Sequence, residues 1–170
     1  RTWNTDWPAM SLELAPESFS PVRQLERLDL SYNNIWSFPE NIFCALTNLV
    51  SLNISRNRLQ DISEVGFREK APPPPQPLIS TQDEEANPTR EIAGVSSSPC
   101  SLDIQMLDAS WNHFVLMPTN GFSALRRLRE LYLHDNEISM VADRALGGLK
   151  ALQVFDLSNN KVVALPPELF

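Results

Sequence analysis

One pattern constrains this 170-residue chain more than any other: L-x-x-L-x-L-x-x-N-x-L, repeated in phase. Leu25, Leu28, Leu30, Asn33 and Ile35 fit it, as do Leu49, Leu52, Ile54, Asn57 and Leu59. Ile104, Leu107, Ala109, Asn112 and Phe114 follow, then Leu128, Leu131, Leu133, Asn136 and Ile138, then Leu152, Phe155, Leu157, Asn160 and Val162. The starts are spaced 24, 55, 24 and 24 residues apart, so one interval carries 31 extra residues. Eighteen residues after each start stand Phe43, Phe67, Phe122, Leu146 and Phe170, and Leu46, Leu125 and Leu149 follow three later. Each repeat therefore reads as one coil of a solenoid. Its L-x-L core is a short strand with leucines inward and the x residues outward. The return half packs Phe and Leu on the same interior, and only stacking of coils closes that core.

The five asparagines stand where each coil leaves its strand. A bend frees backbone N–H and C=O groups, and an Asn side chain can satisfy both kinds. Asn33, Asn57, Asn112, Asn136 and Asn160 are thus expected to form a structural ladder from coil to coil. Residues 1–24 fit a partial repeat through Leu14, Phe19 and Val22; residues 25–67 are repeats, and 101–170 are repeats that stop at Phe170, eighteen residues into a coil. The uncapped ends suggest a piece of a longer array. Residues 68–100 hold seven of the fourteen prolines, the acid run Asp83–Glu85, the serines Ser96–Ser98 and no aromatic residue. Such a segment buries too little apolar surface to offset its ordering entropy, so a disordered loop insertion is expected, with a proline-rich docking motif as the alternative.

Composition narrows the function. With 14 basic and 21 acidic residues the net charge is −7, which opposes binding to nucleic acid or anionic lipid. No run approaches the roughly 18 apolar residues of a membrane span. Two histidines and two cysteines cannot supply a four-ligand zinc cage, so neither metal nor other cofactor is expected. His113 and His134 lie in different coils without a nucleophile motif, and no Gly-rich phosphate loop exists, so no catalytic residue is expected and a non-enzyme is the reading.

Cys44 and Cys100 fall in nearly the same column of adjacent coils. A disulfide between them would staple the base of the long insertion; two buried thiols are the alternative. Asn53-Ile54-Ser55 is the one N-glycosylation sequon, since Asn87-Pro88-Thr89 carries an excluding proline; an unused match is the alternative. The outward strand positions give two columns. One reads Asp29, Asn53, Asp108, Tyr132, Asp156, and the other Tyr32, Arg56, Trp111, Asp135, Asn159. The strip is acidic with aromatic edges. Asp29, Tyr32, Arg56, Asp108, Trp111, Tyr132, Asp135 and Asp156 are the candidate partner-binding residues of a concave face, against the alternative of a merely solvated sheet.

The 24-residue repeat with Phe in its return half resembles the leucine-rich repeat class of extracellular animal receptors. That implies an α/β leucine-rich repeat solenoid: a horseshoe segment with a short-stranded parallel sheet on the concave face and irregular or short helical convex segments. Three stretches resemble the Toll receptor family, especially the long insect Tolls of the eighteen-wheeler group: Trp3-Asn4-Thr5-Asp6-Trp7-Pro8, Leu52-Asn53-Ile54-Ser55-Arg56-Asn57-Arg58-Leu59-Gln60-Asp61, and His134-Asp135-Asn136-Glu137-Ile138. The Cys44/Cys100 pair around a variable loop is similar to that group as well. The resemblance implies the extracellular side of a single-pass cell-membrane receptor whose span and TIR signalling domain lie outside this chain. It implies binding of a protein ligand or another receptor ectodomain, in innate immune signalling or in developmental adhesion and patterning. The alternatives are a secreted or surface adhesion or matrix protein, and an intracellular scaffold.

Overall fold

The computed structural model describes residues 14–15, 17–39, 41–65, 67 and 102–170. The expected insertion and Cys100 lie outside these residues, so the boundaries at 68 and 100 remain expectations from sequence.

Each coil contributes one three-residue strand: β1 Arg27–Asp29, β2 Ser51–Asn53, β3 Met106–Asp108, β5 Glu130–Tyr132 and β7 Val154–Asp156. They form one parallel sheet in the order β1-β2-β3-β5-β7. The register is constant: Leu28, Leu52, Leu107, Leu131 and Phe155 align, and so do Asp29, Asn53, Asp108, Tyr132 and Asp156. Coil two meets coil three in this register although Ser51 and its partner Met106 are 55 residues apart elsewhere in the chain's numbering, so the extra residues leave the sheet undisturbed. Two further strands, β4 Leu116–Met117 and β6 Met140–Val141, make a second, two-stranded parallel sheet past the bend. The sequence reading did not anticipate it.

The core follows from the repeat. Leu52, Leu107 and Leu131 are completely buried beneath the sheet. On the return side the phenylalanine column stacks, with ring centroids 6.2 Å apart for Phe19–Phe43, 6.0 Å for Phe43–Phe67 and 6.4 Å for Phe67–Phe122. Three short 3₁₀ helices, Ser20–Val22, Ile42–Ala45 and Ile62–Val65, carry the chain back in the first coils, and turns serve in the later ones. Val22 shares its column with the buried Leu46 and Leu125 but is exposed, as is Phe170 in the phenylalanine column; neither has a further coil beyond it among the described residues.

The asparagine ladder closes the bends. Asn112 Oδ1 accepts the Leu59 N–H at 3.1 Å, while its Nδ2 donates to Ile54 O at 3.1 Å and Ser110 O at 3.1 Å. Asn57, Asn136 and Asn160 repeat this, accepting from Ile35, Phe114 and Ile138. Asn33, in the first coil, is exposed and, among the described residues, donates to Leu30 O and Ser31 O of its own turn. Among the described residues no buried side-chain nitrogen or oxygen lacks a partner, as close-packed interiors require.

Candidate functional site

Of the eight sequence-derived positions, Asp29, Asp108, Tyr132 and Asp156 are outward strand residues, whereas Tyr32, Arg56, Trp111 and Asp135 stand three residues past the strand ends, in the bends. The central column does two jobs. The first is local. Asp29, Asn53, Asp108 and Asp156 each turn Oδ1 back onto the N–H two residues on, from Ser31 at 2.9 Å, Ser55 at 3.0 Å, Ser110 at 3.0 Å and Ser158 at 2.9 Å. This Asx turn ends the strand and starts the bend. Ser110 adds its hydroxyl to Asp108 at 2.6 Å. Hydrogen bonds from Ser31 hold the Asp29 carboxyl below its ordinary range, with Asn53 adding a weaker one; Ser158 does the same for Asp156. The signal was available in the sequence as a recurring D/N-x-S, which went unread.

The second job is electrostatic. The column alternates charged, neutral, charged, neutral, charged. Neighbouring strands lie about 4.8 Å apart, where like charges repel. Asn53 and Tyr132 act as neutral spacers that keep the carboxylates two strands apart.

Coil four departs from the D/N-x-S rule, with Tyr132 and His134 in those places. The Tyr132 hydroxyl donates to Glu130 Oε2 at 3.1 Å. That bond, then partial burial and the charges of Glu130, Asp108 and Asp156, push the phenol upward. His134 Nδ1 lies 2.8 Å from Asp135 Oδ2, and Asp135 Oδ1 accepts from Asn159 Nδ2 at 3.1 Å. Both Asp135 oxygens are thus engaged by neighbours.

The second column is unusual in its backbone. Tyr32, Arg56, Trp111, Asp135 and Asn159 all have φ between 53° and 56°. This left-handed conformation disfavours L residues with bulky side chains. In coils one to three the side chains stack: the Arg56 guanidinium lies 4.9 Å from the Tyr32 ring centroid and 4.2 Å from that of Trp111. Tyr32 is 75% exposed and Trp111 45%. A cation held between two exposed aromatic faces forms a flat, rigid platform at the sheet's rim.

Past the bend, Glu137 bridges coils, taking Lys161 Nζ at 2.8 Å and His113 Nδ1 at 3.1 Å. Lys161, then His113, holds its carboxyl below the ordinary range. Beyond it Leu116 and Met140, register partners in the second sheet, are exposed together with Val115. Among the described residues no three His, Cys, Asp or Glu side chains converge as a metal site. No helix among them is long and apolar enough to cross a membrane. Cys44 is disulfide-bonded; the other cysteine of the chain, Cys100, lies outside the described residues.

Comparison with known proteins gives a consistent picture. The leucine rich repeat family model matches residues 12–69 and 126–170. Toll-like receptor 7 of Drosophila melanogaster is 34% identical over 154 residues, covering 89% of this chain and 9% of that protein. Tsukushi of mouse (Mus musculus) is 31% identical over 162 residues, covering 92% of this chain and 43% of that protein. The chain therefore spans less than half of either relative. Among solved structures, an internalin C2 from Listeria monocytogenes superposes with a TM-score of 0.56 at 19% identity, over 92% of this chain and 51% of the other. A TLR13 chain in a TLR13–ssRNA13 complex gives 0.52 at 19% identity, over 89% of this chain and 20% of the other. At that identity the structural likeness speaks for the fold.

Proposed function

The chain belongs to the leucine-rich repeat family, and from that premise we propose that it is a stretch of the extracellular solenoid of a Toll-type cell-membrane receptor. It holds a protein partner, either a secreted ligand or another ectodomain, and serves innate immune signalling or developmental adhesion. The Drosophila relative supports the receptor type, and the oxidised Cys44 supports an extracellular compartment. The bridge we propose is Cys44–Cys100, from the return half of coil one to the end of coil two across the insertion.

The observation that carries partner binding is the Tyr32–Arg56–Trp111 stack. Folding alone would favour Asn, Asp or Gly at a left-handed position, as Asp135 and Asn159 illustrate in coils four and five. Two exposed aromatics and an arginine there match the residue types that anchor protein interfaces. The carboxylates Asp29, Asp108, Asp135 and Asp156 set the face's sign and repel phosphate, which favours a protein over an RNA partner even though one structural neighbour is seen with RNA. A secreted matrix-type protein is the second reading, favoured by the Tsukushi match along 92% of the chain.

The full-length transcript tests the receptor type. A secretory leader upstream, with one apolar span of roughly 20 residues and a TIR domain downstream, supports it. A stop codon after a capping repeat, with no span, refutes it in favour of the secreted reading. The surface is tested by displaying the full-length protein on cells. Replacing Tyr32 and Trp111 by Ala should abolish partner-dependent clustering; undiminished clustering refutes the platform as the anchor.

A further inference from the structure

We propose that Asn53 is N-glycosylated, and that the sugar is added before the second coil is enclosed by its neighbours. The proposal rests on the extracellular reading above.

Asn53-Ile54-Ser55 arises here from two structural demands. The Asx turn asks for an acceptor oxygen at 53 and, as in coils one, three and five, places a Ser two residues on; the alternation of charge asks that position 53 be neutral. Together they spell an acceptor sequon on a strand position that faces the concave side. The turn uses Oδ1 alone, at 3.0 Å from the Ser55 nitrogen. The Nδ2 group takes no part in the turn.

Modification leaves that arrangement intact. Nδ2 attacks the anomeric carbon of a polyprenyl-diphosphate-linked oligosaccharide. The new C–N bond forms as the C–O bond to diphosphate breaks, the diphosphate departs with that electron pair, and one Nδ2 proton goes to a base. Oδ1 is untouched, so the turn persists.

The timing follows from burial. Ser55 is 6% exposed and Ile54 fully buried. The Ser55 carbonyl accepts the Tyr32 N–H at 3.1 Å and Asn57 Nδ2 at 3.1 Å. A transferase that must reach the Ser55 hydroxyl finds it only in an unenclosed chain. β3 seals the far side of β2, and it arrives 55 residues after β2, against 24 for β5 after β3. At roughly 5–20 residues per second the longer interval leaves the sequon open for about 3–11 s of synthesis. The insertion thereby gives coil two the longest open period of the coils described. The glycan then stands on the concave sheet, three residues from Arg56 of the Tyr32–Arg56–Trp111 stack.

The test is expression of the whole chain behind a secretory leader in insect cells, with release by peptide N-glycosidase in heavy-oxygen water and peptide mapping. The expected result is one glycan, on Asn53, absent from Ser55→Ala and from Asn53→Asp, which keeps the turn acceptor. Secreted protein with Cys44 oxidised and Asn53 unmodified overturns the site. Chain made without glycan in bacteria, offered to microsomes with lipid-linked donor, should accept sugar when unfolded and refuse it when folded; transfer to the folded chain overturns the timing. Because the leader is supplied, these results stand apart from the compartment of the native protein. Native protein recovered from the cytosol instead overturns the extracellular reading, and with it the use of the site in the cell.

Discussion

Replacing Tyr32 by Asn separates what this surface does for folding from what it does for binding. The tyrosine sits at φ 56°, 75% exposed, with Arg56 over its ring at 4.9 Å. Three terms decide the change in stability. A left-handed conformation costs an ordinary L residue about 1–2 kcal/mol, and Asn tolerates it best after Gly, so relief of about 1 kcal/mol is available. Loss of an exposed cation–π contact removes about 0.5–1 kcal/mol. A quarter-buried tyrosine covers on the order of 50 Å², which at about 25 cal/mol per Å² is at most about 1 kcal/mol. The terms nearly cancel, so the variant should lie within about 1 kcal/mol of the parent.

For comparison, Phe67→Ala removes a buried ring from the stacked column and should cost about 3–5 kcal/mol. Urea unfolding followed by circular dichroism gives both numbers, and a calorimetric scan should show a Tm shift for Tyr32→Asn of no more than about 2–4 °C. Loss of an interface anchor costs about 2 kcal/mol or more, so partner binding should fall about 30-fold in the same variant. If Tyr32→Asn costs more than about 2 kcal/mol of stability, the aromatic serves the fold, and the argument from its backbone conformation fails.

Three further outcomes are expected. Asn53→Asp keeps the turn but puts three carboxylates on consecutive rungs; at about 4.8 Å spacing and 0.15 M salt each new neighbour costs roughly 0.5 kcal/mol, so the variant loses about 1 kcal/mol, recovered in 1 M NaCl, and a salt-independent loss would refute charge spacing. Asn112→Ala strands the buried Leu59 N–H and leaves Ile54 C=O with Asn57 Nδ2 alone, and should cost about 1–3 kcal/mol in urea unfolding, whereas Asn33→Ala, in an exposed turn, should cost under about 1 kcal/mol. The depressed carboxyls of Asp29 and Asp156 contribute stability that is present above the ordinary carboxyl value of 3.8 and lost as pH falls through their lower folded values; a Ser31→Ala/Ser158→Ala pair should therefore be less stable than the parent at neutral pH, with the gap closing in an acid titration as pH falls through those lower values.

The solenoid was legible because its repeat is a direct image of its geometry. One leucine per rung at Leu52, Leu107 and Leu131, one Phe per return at Phe43, Phe67 and Phe122, and one Asn per bend state the strand, the return and the ladder. The central column was legible too, since alternation along a three-residue strand leaves no other face for Asp29, whereas Tyr32 lies three residues past the strand in a left-handed bend that alternation does not govern. The second sheet was not. Leu116 and Met140 pair through backbone groups, and although the neighbouring column Phe38, Ile62, Met117, Val141 and Leu165 is apolar in every coil, that repeat announces burial and not a strand. The Asx turns were missed for a different reason. A carboxylate in an acidic strip reads as surface charge unless the Ser two residues on is set beside it, and its 2.9–3.0 Å bond to that amide shows that it is already committed.

That commitment changes how the acidic strip should be understood. Asp29, Asp108 and Asp156 would occupy their places in a solenoid that bound nothing, because each ends a strand and each is separated from the next by a neutral rung. Their presence is therefore no argument for a ligand. The departures from the rule carry more weight. Coil four has an aromatic where an Asx turn would serve the bend, and a histidine where the others have serine; coils one to three place Tyr32, Arg56 and Trp111 where Asp or Asn would sit with less strain. Consistency of local choices with the fold is what a sequence selected only for folding displays, and positions that break it without structural gain are where function is to be sought. The order of priority for mutation follows: Tyr32, Arg56 and Trp111 first, Tyr132 with His134 next, and the carboxylates last.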